Sequence, residues 1–130
     1  VSSMSPTIVL KDGEPFMALG TPGGVRIFPS VLQAIVNVID HGMTLQEAVE
    51  APRVWTQGQE LELEQAISQE LHASLQAIGH QTLEVPVIAG GMNGVLCEDG
   101  LITGAACWRA DGSPAALSGG SARPGTRFFA

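Results

Sequence analysis

VSSMSPTIVLKDGEPFMALGTPGGVRIF, residues 1–28, contains two short apolar runs, residues 6–11 and 16–20, separated by Asp12-Gly13-Glu14. Asp bonds its own backbone and Gly accepts positive φ, so these three residues predict a turn and the whole stretch a β-hairpin. A short-loop hairpin returns both its ends to one edge of the sheet. Ser2-Ser3 at one end and Gly20-Thr21-Pro22-Gly23-Gly24 at the other are therefore expected to lie close in space. Two hydroxyls can donate to one anion. Glycine N–H groups, with no side chain beside them, can approach a ligand closely. Ser2, Ser3, Gly23 and Gly24 thus form a candidate anion or oxyanion site.

Residues 27–41 read as a helix with Pro29 in its first turn and Gly42 as its stop. Its apolar residues lie on nearly every side, which predicts a well-buried helix. Its positive end follows directly on Gly23-Gly24 and would add to anion stabilisation there. Thr44-Leu45-Gln46-Glu47 is a capping box opening a short helix that Pro52 ends. Residues 53–56 and 60–64 are extended candidates around Gly58. Strict alternation in Glu60-Leu61-Glu62-Leu63-Glu64 predicts carboxylates facing water.

A second amphipathic helix is predicted over residues 68–78, with Leu71, Leu75 and Ile78 on one face and Gly79 closing it. Residues 82–88 read as a strand, at an edge or with an irregular end because of Pro86. Residues 93–98 and 101–108 flank an Asp99-Gly100 turn. The latter run is apolar with little alternation, as expected of a strand covered on both faces. Residues 118–130 form a Gly, Ser, Pro and Arg-rich tail, mobile or docked on a neighbour. Two hairpins separated by helices predict an α+β fold with helices layered on an antiparallel sheet, and residues 1–130 fit one domain.

Six basic and thirteen acidic residues give a formal charge of −7, which argues against a nucleic-acid partner. The chain is 45% hydrophobic with 16 glycines, a combination of packed strands and tight turns rather than disorder. No apolar run reaches the roughly 20 residues that span a bilayer, and no targeting segment is legible. If Asp99-Gly100 is a two-residue turn, Cys97 faces Ile102 and Cys107 lies about 16 Å further along at about 3.3 Å per residue. That is beyond the roughly 7 Å Cα separation of a disulfide, so both cysteines are expected as free thiols. Neither they nor His41, His72 and His80 show a metal-ligand spacing. No cofactor is expected. Arg53 and Arg109 are candidates for structural ion pairs.

Taken in order, the serine pair, the SPTI strand, the DG turn, the GTPGG loop and the following VLQ helix resemble the signature region of the γ-glutamyltransferase (γ-glutamyltranspeptidase) family. The likeness continues through Asp40-His41-Gly42 and Ala51-Pro52-Arg53 into the late Gly-rich strands. It departs at Cys107-Trp108-Arg109, where the family has an Asp-Pro-Arg-like run. The resemblance implies an N-terminal-nucleophile hydrolase with an αββα sandwich, of which this chain is the C-terminal part of the small subunit. It implies that Ser2 and Ser3 hold the α-carboxylate of a γ-glutamyl group and that Gly23 and Gly24 form the oxyanion hole. The threonine nucleophile, freed by self-cleavage of a precursor, would lie upstream of Val1. The partners implied are the rest of that precursor and a γ-glutamyl substrate such as glutathione. A related acylase or poly-γ-glutamate hydrolase on the same scaffold, and a non-catalytic binding or structural module, remain as alternatives.

Overall fold

The opening hairpin forms as its turn chemistry dictates. β1 (Thr7–Lys11) and β2 (Glu14–Gly20) pair antiparallel around Asp12 and Gly13, both at positive φ. The structure, a computed structural model, describes residues 4–116. Ser2, Ser3 and the proposed tail therefore lie outside the described residues.

β6 (Asn93–Glu98) and β7 (Leu101–Ala106) form the second hairpin, again over an Asp-Gly turn at positive φ. Cys97 faces Ile102 as the turn requires, and both cysteines are free. β2 pairs with β6, giving a four-stranded antiparallel sheet in the order β1-β2-β6-β7. Val9, Met17, Leu19, Leu96 and Ala105 share one face of it and pack against helices α1 (Ile27–Ile39) and α2 (Leu45–Glu50). Burial of each large side chain there, such as Met17 or Leu19, contributes roughly 1.5–3 kcal/mol of transfer free energy.

Polar side chains tie the helices to the strands. The Gln33 amide exchanges two 2.9 Å hydrogen bonds with the backbone N–H and C=O of Val54, as a strand neighbour would. Gln46 bridges the backbone C=O and N–H of Ala106 in the same way, at 2.9 and 3.4 Å. The capping box of α2 is complete: Thr44 Oγ1 accepts from the Glu47 N–H, and the Glu47 carboxylate accepts from the Thr44 N–H at 2.8 Å.

The second sheet holds β3 (Val54–Thr56), β4 (Leu61–Glu64) and β5 (Thr82–Val85), in that order. The α+β class stands, but one expectation about pairing does not. β4 and β5 run parallel, because α3 (Gln69–Ala77) intervenes as the crossover a parallel pair needs. β5 is an edge strand and stops before Pro86.

Three burial expectations are also corrected. α1 is buried on one side only, through Ile27, Ser30, Val31 and Ala34, while Phe28, Leu32 and Ile39 are exposed. On α3, Leu71 and Ile78 are exposed and His72 is the buried residue. Among the described residues β7 is not covered on both faces: Ile102, 72% exposed, lies with Ile8, Leu10 and Val95 on the sheet face turned away from α1 and α2.

Candidate functional site

The chain leaves β2 at Gly20 and turns through Thr21-Pro22-Gly23-Gly24 into a short 3-10 turn, Gly24–Arg26, that runs straight into α1. Gly23 (φ 148°) and Gly24 (φ 59°) are consecutive residues in backbone conformations that side chains disfavour. A Cβ on Gly23 would lie 2.6 Å from the Ala89 Cβ, so only glycine fits there. Gly24 has open space around its Cα and is exposed. The pairing of Thr7 with Leu19 places the entry to β1 beside the exit of β2. Thr7, the first residue of β1, therefore lies at the end of the sheet from which the glycine turn departs.

A second glycine loop, Ala89-Gly90-Gly91, holds the first. The Gly90 N–H donates to Pro22 O at 2.8 Å, and Thr21 Oγ1 donates to Gly90 O at 2.9 Å. A Cβ on Gly90 would sit 2.7 Å from Pro22 Cγ, which explains glycine on this side of the contact as well. Thr21 thus acts through its hydroxyl as a brace between the loops.

Behind the second loop lies a buried ionic cluster. Glu64 Oε1 accepts from the Ile88 N–H at 2.7 Å and from Arg109 Nε at 2.8 Å. Glu64 Oε2 accepts from the Arg53 N–H at 2.9 Å and from Arg109 Nη2. Arg53 Nη1 donates to Ile88 O and Gly90 O, both at 3.0 Å, and Arg109 spans the carbonyls of Val49 and Ala51. Cys107 Sγ accepts from the Met92 N–H at 3.1 Å. Burial, then the nearby Arg109 charge, brings the Arg53 guanidinium down to about 10, so it stays protonated at neutral pH. Burial alone would depress Arg109, but hydrogen bonding and attraction to Glu64 outweigh it and raise its pKa.

Glu64 is 2% exposed, which overturns the expectation that the carboxylates of residues 60–64 face water. β4 is the central strand of its sheet and is covered on both sides, so alternation does not report exposure there. The readable signal was the pair of arginines in apolar settings, Ala51-Pro52-Arg53 and Cys107-Trp108-Arg109, which demand a buried counter-charge.

Gly23 and Gly24 therefore sit on a braced turn at a helix entrance. Ser2 and Ser3 lie outside the described residues. Among the described residues no cluster of His, Cys, Asp and Glu could hold a metal ion, and no helix is long and apolar enough to cross a membrane. A cleft of about 470 Å³ lined by Phe16, Val38, Met43, Leu96, Glu98 and Thr103 lies toward the opposite end of the first sheet from the glycine turn.

The chain is 60% identical over 128 residues to the acylase ACY 1 proenzyme of Pseudomonas sp. (strain SE83), covering 98% of this chain and 23% of that protein. It is 39% identical over 107 residues to the glutathione hydrolase proenzyme of Escherichia coli (strain K12), covering 81% of this chain and 18% of that protein. It thus spans under a quarter of these relatives. A crystal structure of a mutant of Helicobacter pylori gamma-glutamyltranspeptidase superposes with a TM-score of 0.79 at 39% identity, covering 84% of this chain and 62% of that one. The family model for gamma-glutamyltranspeptidase matches residues 1–117, and with the fold and these relatives agreeing, the chain belongs to the gamma-glutamyltranspeptidase family.

Proposed function

We propose that this chain is the C-terminal part of the small subunit of an enzyme that transfers or hydrolyses the γ-glutamyl group of compounds such as glutathione. The observation that carries the reading is the braced Gly23-Gly24 turn, two successive positive-φ glycines at the entrance of α1. In this reading the N–H groups of Gly23 and Gly24 face the oxygen that gains charge as the amide carbonyl becomes tetrahedral. The helix entrance adds its positive dipole end. Ser2 and Ser3 donate hydrogen bonds to the substrate α-carboxylate. A threonine upstream of this chain attacks, with its own α-amino group as base. Water or an amino acceptor then releases the acyl group. The partner is the remainder of the same precursor, in keeping with relatives that are proenzymes several times longer.

A second reading, an acylase acting on another amide, is favoured by the 60% identity to the acylase proenzyme. The oxyanion chemistry is common to both; the grip on an α-carboxylate is not. Steady-state rates of the full-length protein on a γ-glutamyl anilide and on a β-lactam side-chain amide separate them. Preference for the anilide is the expected result, and preference for the β-lactam amide would move the assignment to the acylase. An intact mass spectrum of the same preparation should show two chains, the smaller beginning at a threonine. A single uncut chain would contradict the self-cleaving mechanism.

A further inference from the structure

The glycine turn has a second anchor, further along the chain than the contact of Pro22 with Gly90. Arg26 closes the 3-10 turn, and its N–H donates to Gly23 O at 3.2 Å. Its carbonyl accepts from the buried Ser30 hydroxyl at 2.8 Å. The backbone of Arg26 is thus bonded to Gly23 on one side and to α1 on the other. Its side chain leaves this turn and reaches the second sheet. Arg26 Nη2 lies 2.9 Å from each oxygen of Glu62, and Nε lies 3.2 Å from Oε2. The guanidinium also stacks on Trp55, 4.2 Å from the ring centroid. Trp55 and Glu62 are direct cross-strand partners in β3 and β4, so one pair on one face of the sheet receives the arginine.

We propose that Arg26, Glu62 and Trp55 form a positioning clamp that fixes the direction of the Gly23 and Gly24 N–H groups. An isolated surface ion pair contributes little to stability. This one differs in its role: the planar fork on one carboxylate and the stacked ring set the orientation of the arginine, which an ammonium group could not reproduce. Glu62 and Glu64 lie two apart on β4 and so share a strand face. Glu64 steadies the Gly90 side of the turn and Glu62 its Arg26 side. None of the three clamp residues needs to touch substrate. The inference rests on the oxyanion reading of Gly23 and Gly24.

The test uses the full-length, self-cleaved protein, with rates normalised to the amount of cleaved small chain. Glu62→Gln removes the ionic fork, and Arg26→Lys keeps the charge while losing fork and stacking. If the clamp positions the donors, kcat on a γ-glutamyl anilide falls by about 10-fold or more in either variant, since small misplacements of catalytic groups are costly. KM should stay within about 2-fold, because ground-state binding is retained. Unchanged kcat in the cleaved variants, even with a lowered melting temperature, overturns the clamp. So does a raised KM at constant kcat. Should Glu62→Gln fail to mature, Arg26→Lys decides. Gly24→Pro, measured in parallel, separates the two layers. If it keeps normal turnover, the oxyanion reading fails and the clamp with it. If it is inactive while both clamp variants run at full rate, only the clamp is wrong.

Discussion

Glu64 shows how much one side chain can organise. Its carboxylate meets Arg109, the Arg53 backbone and the Ile88 backbone at once, and those contacts fix the loop that braces Thr21-Pro22. Glu64→Ala would leave Arg109 buried and unpaired beside Arg53. Removing one partner of a buried pair costs about 3–5 kcal/mol, so the full-length protein should lose much of its resistance to urea. A midpoint within error of the parent would contradict the assigned burial. Gly23→Ala is a sharper probe of the turn, since its Cβ would collide with Ala89. Backbone strain of this kind costs on the order of 1–3 kcal/mol. Gly24→Ala meets no neighbour and should cost less than Gly23→Ala in the same denaturation experiment. At this scale the sequence marked the glycines by their spacing, and it marked the arginines by their apolar settings. It did not mark Glu64, because its partner lies 45 residues away and its own neighbours mimic a solvated strand.

Local signals decided the elements well. Both Asp-Gly hairpins and the capping box follow from chemistry within a few residues, whereas the strand read over residues 82–88 ends earlier, at Val85, because Pro86 lacks the N–H to continue it. The box also has a pH signature. Hydrogen bonds from the Thr44 hydroxyl and then from its N–H lower the pKa of Glu47 below its usual 4.5. A carboxylate depressed in the folded state adds stability above its unfolded pKa and loses it as pH falls through the folded value. Thr44→Ala should therefore lower the denaturation midpoint at pH 7, and the deficit should shrink as pH falls below about 4.5. A deficit independent of pH would show that the charge of Glu47 does not take part. What the elements did not reveal was pairing direction. Parallel pairing of β4 with β5 depends on where α3 crosses, a tertiary fact with no mark in either short strand.

Over the whole molecule, hydrophobicity identified which residues are apolar but not what covers them. Ile8, Leu10, Val95 and Ile102 line the outer face of the first sheet and are exposed among the described residues. An αββα sandwich places a second sheet against such a face, which accounts for an apolar β7 that the described residues leave exposed. Ile102→Lys should accordingly reduce the yield of folded, cleaved full-length protein, whereas Leu101→Lys, on the opposite side of the same strand, should do so less. Equal yields would argue against a packed outer face. The braced turn, by contrast, is held among the described residues by the second glycine loop, by the Arg53, Arg109 and Glu64 cluster behind that loop, and by the Arg26 anchor on Glu62. The most direct measurement of its role is a crystal structure of the full-length protein carrying a trapped tetrahedral adduct of a γ-glutamyl analogue. The adduct oxygen should lie about 2.7–3.1 Å from the N–H nitrogens of Gly23 and Gly24. An oxygen turned away, beyond about 3.5 Å from both, would show that this turn is not the oxyanion hole.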